Sequence, residues 1–463
     1  MSLALVAPPP LSSHQLLLFL VQLALLLVLA LTLGRLALRC GLPAVVGELL
    51  TGVLLGPTVL GALAPSVAGA LLPVDAEQMH LLDAVGQLGV LLLVAVAGAH
   101  LDTGLLRRRR ARVASIGLTG LLVPLGLGVA AGFLMPEELL VDRVDRTTFA
   151  LFLGVALSVS AIPVIAKTLS DMKLLHRDVG QLTLASAALD DCAAWFMLSV
   201  VSAMSVGGLR AGSVALALVS LVGFTLVVLI LGRPVISALL RRTARSPEAM
   251  PTTAVVVALV LVCAAASQAL ELEPLLGAFL VGVLIGRPGV VDPARLAPLR
   301  TVVLGVLAPL FLALAGLRID LTALVDRQVL LFGGATLLVA VVGKFAGAYL
   351  GARLSRMSHW EGLAIGAGMN SRGVVEVVLA TAGVRLGILS TAMYTVIVLI
   401  AVCTSVMAPP LLRWSMRRVE HGAEERLREE RLTTWSLGAA PAEETPAANG
   451  GPGRERRAGT AQK

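Results

Sequence analysis

The chain has 463 residues, 57% of them hydrophobic and 14% charged, with a mean hydropathy of +0.91. That composition excludes a soluble globular domain and points to an all-α integral membrane protein. The net charge of +8 belongs to loops that face anionic lipid, not to a nucleic-acid surface.

Spanning the hydrocarbon takes about 20 apolar residues. Thirteen such runs are predicted, near 15–34, 43–62, 82–99, 113–134, 148–168, 180–206, 213–240, 252–270, 274–287, 301–317, 329–354, 361–383 and 391–412. The second, ninth and twelfth are short or glycine-rich. The first lacks a basic flank before it and a small-residue cleavage site after it, so it reads as a retained span. Residues 1–412 thus form the membrane domain, and 413–463 a short tail. Within the tail, VEHGAEERLREERL is able to form a charged surface helix, and the Ala-, Pro- and Gly-rich remainder is expected to be disordered, with no folded regulatory domain.

Loop charges set the orientation. One set of loops carries Arg35 and Arg39, Arg107 to Arg110 with Arg112, Lys173 and Arg177, Arg241, Arg242 and Arg245, Arg287, Arg295 and Arg300, Arg353 and Arg356, and Arg417 and Arg418. The alternate loops carry only Arg143, Arg146, Arg210, Arg318, Arg327 and Arg385. This asymmetry predicts an outside N-terminus and a cytoplasmic C-terminus. Cys40, Cys192, Cys263 and Cys403 show no paired spacing and suggest neither disulfides nor a metal site.

Four spans break the apolar rule. In the sixth, QLTLASAALDDCAAWFMLSVV, Asp190 and Asp191 lie near mid-membrane, where a charge costs roughly 2.5–3.5 kcal/mol on insertion scales. Neighbours on a helix point about 100° apart, so one partner does not easily satisfy both. The pair reads as an ion or proton site. In the fifth, LFLGVALSVSAIPVIAKTL, Pro163 removes a backbone donor, and Ser158 and Ser160 can re-satisfy the freed groups or offer oxygens to an ion; an ordinary proline kink is the plainer reading. In the twelfth, glycines surround Asn370, Ser371 and Arg372, with Glu376 at i, i+4 from Arg372. A discontinuous helix is expected there, with the Arg372–Glu376 pair structural first. In the eleventh, Lys344 is too deep to snorkel and needs a carboxylate, either in the aspartate pair or at Glu376. Breaks at matching places suggest an inverted repeat relating spans four to six to eleven to thirteen.

The segments LPAVVGELLTGVLLGPTVLG, AIPVIAKTLSDMKLL, LASAALDDCAAW and GMNSRGVVEVVLATAGVRLGILSTAMYTVIVLI together resemble the monovalent cation:proton antiporters of the second superfamily branch. That branch includes Kef-type potassium/proton exchangers and plant cation/proton exchangers, and the likeness runs from about residue 40 to 412. It implies the sodium/proton antiporter fold, with inverted repeats and two crossed broken helices marked by Pro163 and by Asn370 to Gly373. It further implies Asp191 as the carboxylate that binds H+ or a monovalent cation, Na+ or K+, in turn. Asp190 would pair with Lys344. A homodimer, elevator-like movement and no cofactor are also implied. The short tail departs from the Kef and plant patterns, which puts their ligand gating in doubt. A proton-coupled exporter of a small organic solute is the alternative, and 3% aromatic residues count against the wide cavity it needs. An enzyme is not expected: His80, His100, His176, His359 and His421 fall in loops or at span ends, with no metal or nucleophile constellation legible among them.

Overall fold

The structure, a computed structural model, describes residues 12–40, 42, 44–72, 76–141, 144–207, 211–243, 250–270, 272–287, 290–317 and 326–429. Arg143, Arg210, Arg245, Arg318, the Cys192 side chain and the tail beyond residue 429 lie outside the described residues. Cys40, Cys263 and Cys403 are free thiols.

The described chain is helical. In order the helices are α1 (Ser13–Arg39), α2 (Ala44–Leu55), α3 (Pro65–Leu71), α4 (Ala76–Ala99), α5 (Thr103–Arg108), α6 (Arg110–Phe133) and α7 (Arg146–Ser158). Next come α8 (Ile162–Asp171), α9 (Asp178–Gly207), α10 (Ala211–Val227), α11 (Arg233–Thr243), α12 (Met250–Ala269) and α13 (Pro274–Ile285). The last are α14 (Pro293–Val302), α15 (Ala308–Leu317), α16 (Arg327–Leu354), α17 (His359–Met369), α18 (Val374–Arg385) and α19 (Thr391–Met416). Ten segments among the described residues are long and apolar enough to cross a membrane. The three remaining runs of the predicted thirteen are also helical: charged α9, twelve-residue α13 and the interrupted pair α17–α18.

Side-chain caps start the long helices where the sequence turns polar. Asp145 accepts from the Thr148 amide at α7, Asp326 from the Gln328 and Val329 amides at α16, and Ser390 from the Met393 amide at α19. Ser358 and Glu361 form a reciprocal capping box at α17.

Loops meet at two opposite ends of these helices. At one end Arg109 pairs with Asp178, Arg177 donates to the Val419 carbonyl at 3.0 Å, and the Arg418 guanidinium lies 4.2 Å over the Trp360 ring. At the other, Gln328 donates to Glu138 at 2.9 Å, Ser390 to the Leu139 carbonyl at 2.7 Å, and Leu140 bridges to Leu389. The 107–112, 173–178 and 417–424 stretches thus meet at the first end.

Close packing at the centre depends on small residues. Gly343, Gly347 and Gly351 of α16 face Pro124, Thr119 with Gly120, and Ile116 of α6. On the other side of α6, Gly128 meets Gly154 of α7 and Gly132 meets Ala150. Such seams let helices approach where lipid offers no hydrophobic drive to association. A Cβ at Gly347 would stand 2.6 Å from the Thr119 carbonyl oxygen, whereas one at Gly334 of the same helix meets nothing within 4 Å. Gly347→Ala is therefore expected to cost about 1–3 kcal/mol of stability by overpacking. Melting curves in detergent would show a clear drop for that variant and none for Gly334→Ala; equal curves would contradict the seam.

Candidate functional site

Two helices are broken at the centre of the fold. Span five unwinds at 159–161 between α7 and α8, and span twelve at 370–373 between α17 and α18. Pro163 does not kink a continuous helix. It occupies the first turn of α8, where its missing N–H has no helical partner to lose. α7 begins at one end of the molecule and α17 at the other, and the breaks cross. The Ala161 amide donates to the Ser371 carbonyl at 3.2 Å. The Ser160 hydroxyl lies 2.9 Å from the Met369 carbonyl and 3.2 Å from Asp190 Oδ2, able to give its one proton to either. Together with the antiparallel α6 and α16 beside them, these breaks give the inverted repeat its structural form.

Ending α7 in the core frees its last four carbonyls, which must find donors. All four do. The Ser158 hydroxyl donates to the Val155 carbonyl at 2.8 Å. Arg372 donates to the Ala156 carbonyl at 3.3 Å and also to that of Leu157. Lys344 donates to the Ser158 carbonyl. Two buried cations thus sit at the negative end of a helix dipole, where positive charge is favoured.

Lys344 is 0% exposed and makes two further contacts, to the Gly120 carbonyl at 3.1 Å and to Asp190. Its three protons are therefore all engaged. Arg372 is likewise fully buried and reaches the Ala340 carbonyl at 3.2 Å. Arg372 and Glu376 stay within electrostatic reach of each other, but among the described residues they form no direct ion pair and each makes other hydrogen bonds. Arg372 lies in the unwound stretch, where helical spacing does not apply, and Glu376 turns back to accept from the Gly373 amide at 2.7 Å. The second oxygen of Glu376 has no hydrogen-bond partner among the described residues.

Asp191 differs from every other charged group here. It is 5% exposed, and neither carboxylate oxygen has a hydrogen-bond partner among the described residues. Asp190 Oδ1 and both polar ends of the Asn370 amide are also buried without hydrogen-bond partners among the described residues. Asp190, Glu376 and Glu273 all lie within electrostatic reach of Asp191, as does Lys344. Buried oxygens left unmatched cost free energy unless a proton or a cation joins them.

Sequence reasoning missed three features of this region. Glu273 immediately precedes α13 and acts electrostatically on Asp191. Glu48 of α2 and Lys167 of α8 form a buried ion pair at 3.3 Å, extended to Asp171 at 3.1 Å. A glutamate within the second predicted span was the available signal. The tail is the third: residues 423–429 are helical, as the charged run suggested, but the segment is docked, with Glu425 and Arg428 buried. Glu425 accepts from Arg177 at 3.0 Å, and Arg428 pairs with Asp178 and, at 3.4 Å, with Asp102.

The match to the family described as "Sodium/hydrogen exchanger, transmembrane" covers residues 24–418. The chain belongs to the sodium/hydrogen exchanger family. Among curated relatives of this exchanger-family chain, Cation/H(+) antiporter 17 of Arabidopsis thaliana is 29% identical over 405 residues, covering 86% of the chain and 48% of the relative. The chain thus spans about half the length of the plant relatives it matches. Na(+)/H(+) antiporter NhaS4 of Synechocystis sp. is 27% identical over 407 residues, covering 86% of the chain and 97% of the relative. The solved sodium proton antiporter MjNhaP1 of Methanocaldococcus jannaschii superposes with a TM-score of 0.58 at 17% identity, over 91% of this chain and 99% of that one. The fold is therefore the sodium/proton antiporter fold, and the protein is a multi-pass membrane protein.

Proposed function

We propose that this chain exchanges a monovalent cation, Na+ or K+, for protons, with both competing for Asp191. The observation that carries the reading is the buried Asp191 carboxylate with two unpartnered oxygens at the crossing of two broken helices. Asp190 is paired with Lys344 and supports the site, and it is not the group that exchanges protons. Unwound backbone, Asn370 and the oxygens of Ser158, Ser160 and Ser371 offer further ligands to a hard cation. Arg372 and Glu376 hold the half-helices in place. The names of the relatives, which include a Na(+)/H(+) antiporter, a K(+)/H(+) antiporter and GerN of Bacillus cereus, a Na(+)/H(+)-K(+) antiporter, support transport over enzymatic chemistry. The family likeness also favours an elevator-like displacement in a homodimer. Loop charge favours a cell-membrane protein with its N-terminus outside, a membrane domain over 1–412 and a cytoplasmic tail over 413–463.

The test is collapse of an imposed pH gradient in proteoliposomes on adding sodium, potassium, lithium or choline salts. One small cation is expected to dissipate the gradient. Its apparent KM should rise as pH falls, by up to about tenfold per unit once protons hold most sites. A KM independent of pH would remove the competition mechanism. No response to any small cation, from correctly inserted protein, would bring the organic-solute exporter forward.

A further inference from the structure

At the arginine-rich end of the molecule, three potential metal ligands converge from distant parts of the chain. His176 lies in the turn joining α8 to α9, while His421 and Glu429 belong to the docked tail segment. The ligand atoms of all three lie within 4.8 Å of one another. His176 Nε2 is 3.3 Å from His421 Nε2 and 3.8 Å from Glu429 Oε2. No helical spacing links His176 to the other two, which explains why the sequence shows no constellation there.

The spacing matches a tetrahedral ion. Zinc–nitrogen bonds of about 2.0–2.1 Å place two ligand nitrogens about 3.3 Å apart. Glu429 needs only a small shift, and its side chain is half exposed and able to make it. Arg177 acts against positive charge at His176, and its partner Glu425 offsets this, while Arg428 is paired with Asp178 and Asp102.

We propose that His176, His421 and Glu429 form a binding site for a divalent transition-metal ion of zinc type, which clips the tail onto the turn preceding α9. The proposal does not depend on which ions the protein transports. Asp178, the first residue of α9, lies two positions from His176, and the same helix carries Asp190 and Asp191. The clip therefore connects the tail directly to the helix of the candidate transport site.

The experiment uses the full chain in detergent, with its thiols blocked by N-ethylmaleimide so that cysteines do not compete. Zn2+ affinity is read by competition with a chromophoric chelator, and Co2+ by its tetrahedral absorption bands. The wild type is expected to bind one equivalent. His421→Ala should weaken binding by about 100-fold or more, since even loss of an outer partner costs 10–100-fold. Glu429→Gln should weaken it less and change the Co2+ spectrum. Both altered side chains are exposed, so folding is expected to survive, and the melting curve without metal checks this. Equal Zn2+ binding by wild type and both variants, or no binding by the wild type, would overturn the proposal.

Discussion

Asp191→Asn is expected to reduce cation-driven proton flux to the level of empty liposomes while leaving the protein folded and inserted. The amide keeps the size and shape of the carboxylate but carries no charge and takes no proton in this pH range. Folding is spared because Asp191 makes no hydrogen bond that the substitution would break. Removing a buried, unpartnered charge should if anything raise the melting temperature at high pH. Two measurements on one preparation decide the matter, gradient collapse and thermal melting. Wild-type flux in Asp191→Asn would sink the assignment. Loss of both flux and folding would mean that Asp191 has a structural partner instead.

Lys344→Met is expected to be the most destabilising change at the centre of the fold. It leaves Asp190 as a buried charge and strips a donor from the Ser158 and Gly120 carbonyls. Breaking one side of a buried ion pair costs about 3–5 kcal/mol. Adding Asp190→Asn to the variant should restore a large part of that loss, because the stranded charge is gone and only the carbonyls lack partners. The pH dependence has a definite sign. Acid protonates the stranded carboxylate in the single variant, so its deficit against wild type should shrink as pH falls. The double variant should show no such trend. Melting temperatures of the four proteins across pH would measure the coupling. Additive losses, without recovery in the double variant, would show that Lys344 acts mainly on the backbone and not on Asp190.

The membrane class and the broken elements were legible because charge and glycine within an apolar run are costly and stand out in any window. Asp190, Asp191 and Lys344 were found by depth alone. Their environment was not legible, because it is built from backbone groups that hydropathy does not describe. Nothing near Gly120 signals that its carbonyl receives Lys344, and nothing near Ala156 or Leu157 signals Arg372. The expected Arg372–Glu376 pair assumed an unbroken helix at the point where the chain unwinds. The Glu48–Lys167 pair joins two spans that lie far apart in sequence, so no local spacing marks it. The tail misled in a similar way. Its charge resembled a solvated surface, yet Glu425 finds Arg177, and Arg428 finds Asp178 and Asp102.

The unpartnered oxygens of Asp191 and Asn370 have a practical consequence. Whatever joins them, a proton or a metal cation, completes the fold as well as occupying a site. By mass action such a ligand stabilises the state that binds it, and more so the further its concentration exceeds its dissociation constant. Alkaline buffer with only bulky cations removes both candidates at once and leaves the centre of the molecule with a bare charge. Those are the conditions under which the protein should be most fragile to purify, and millimolar salt of the transported ion or a mildly acidic buffer is the natural remedy.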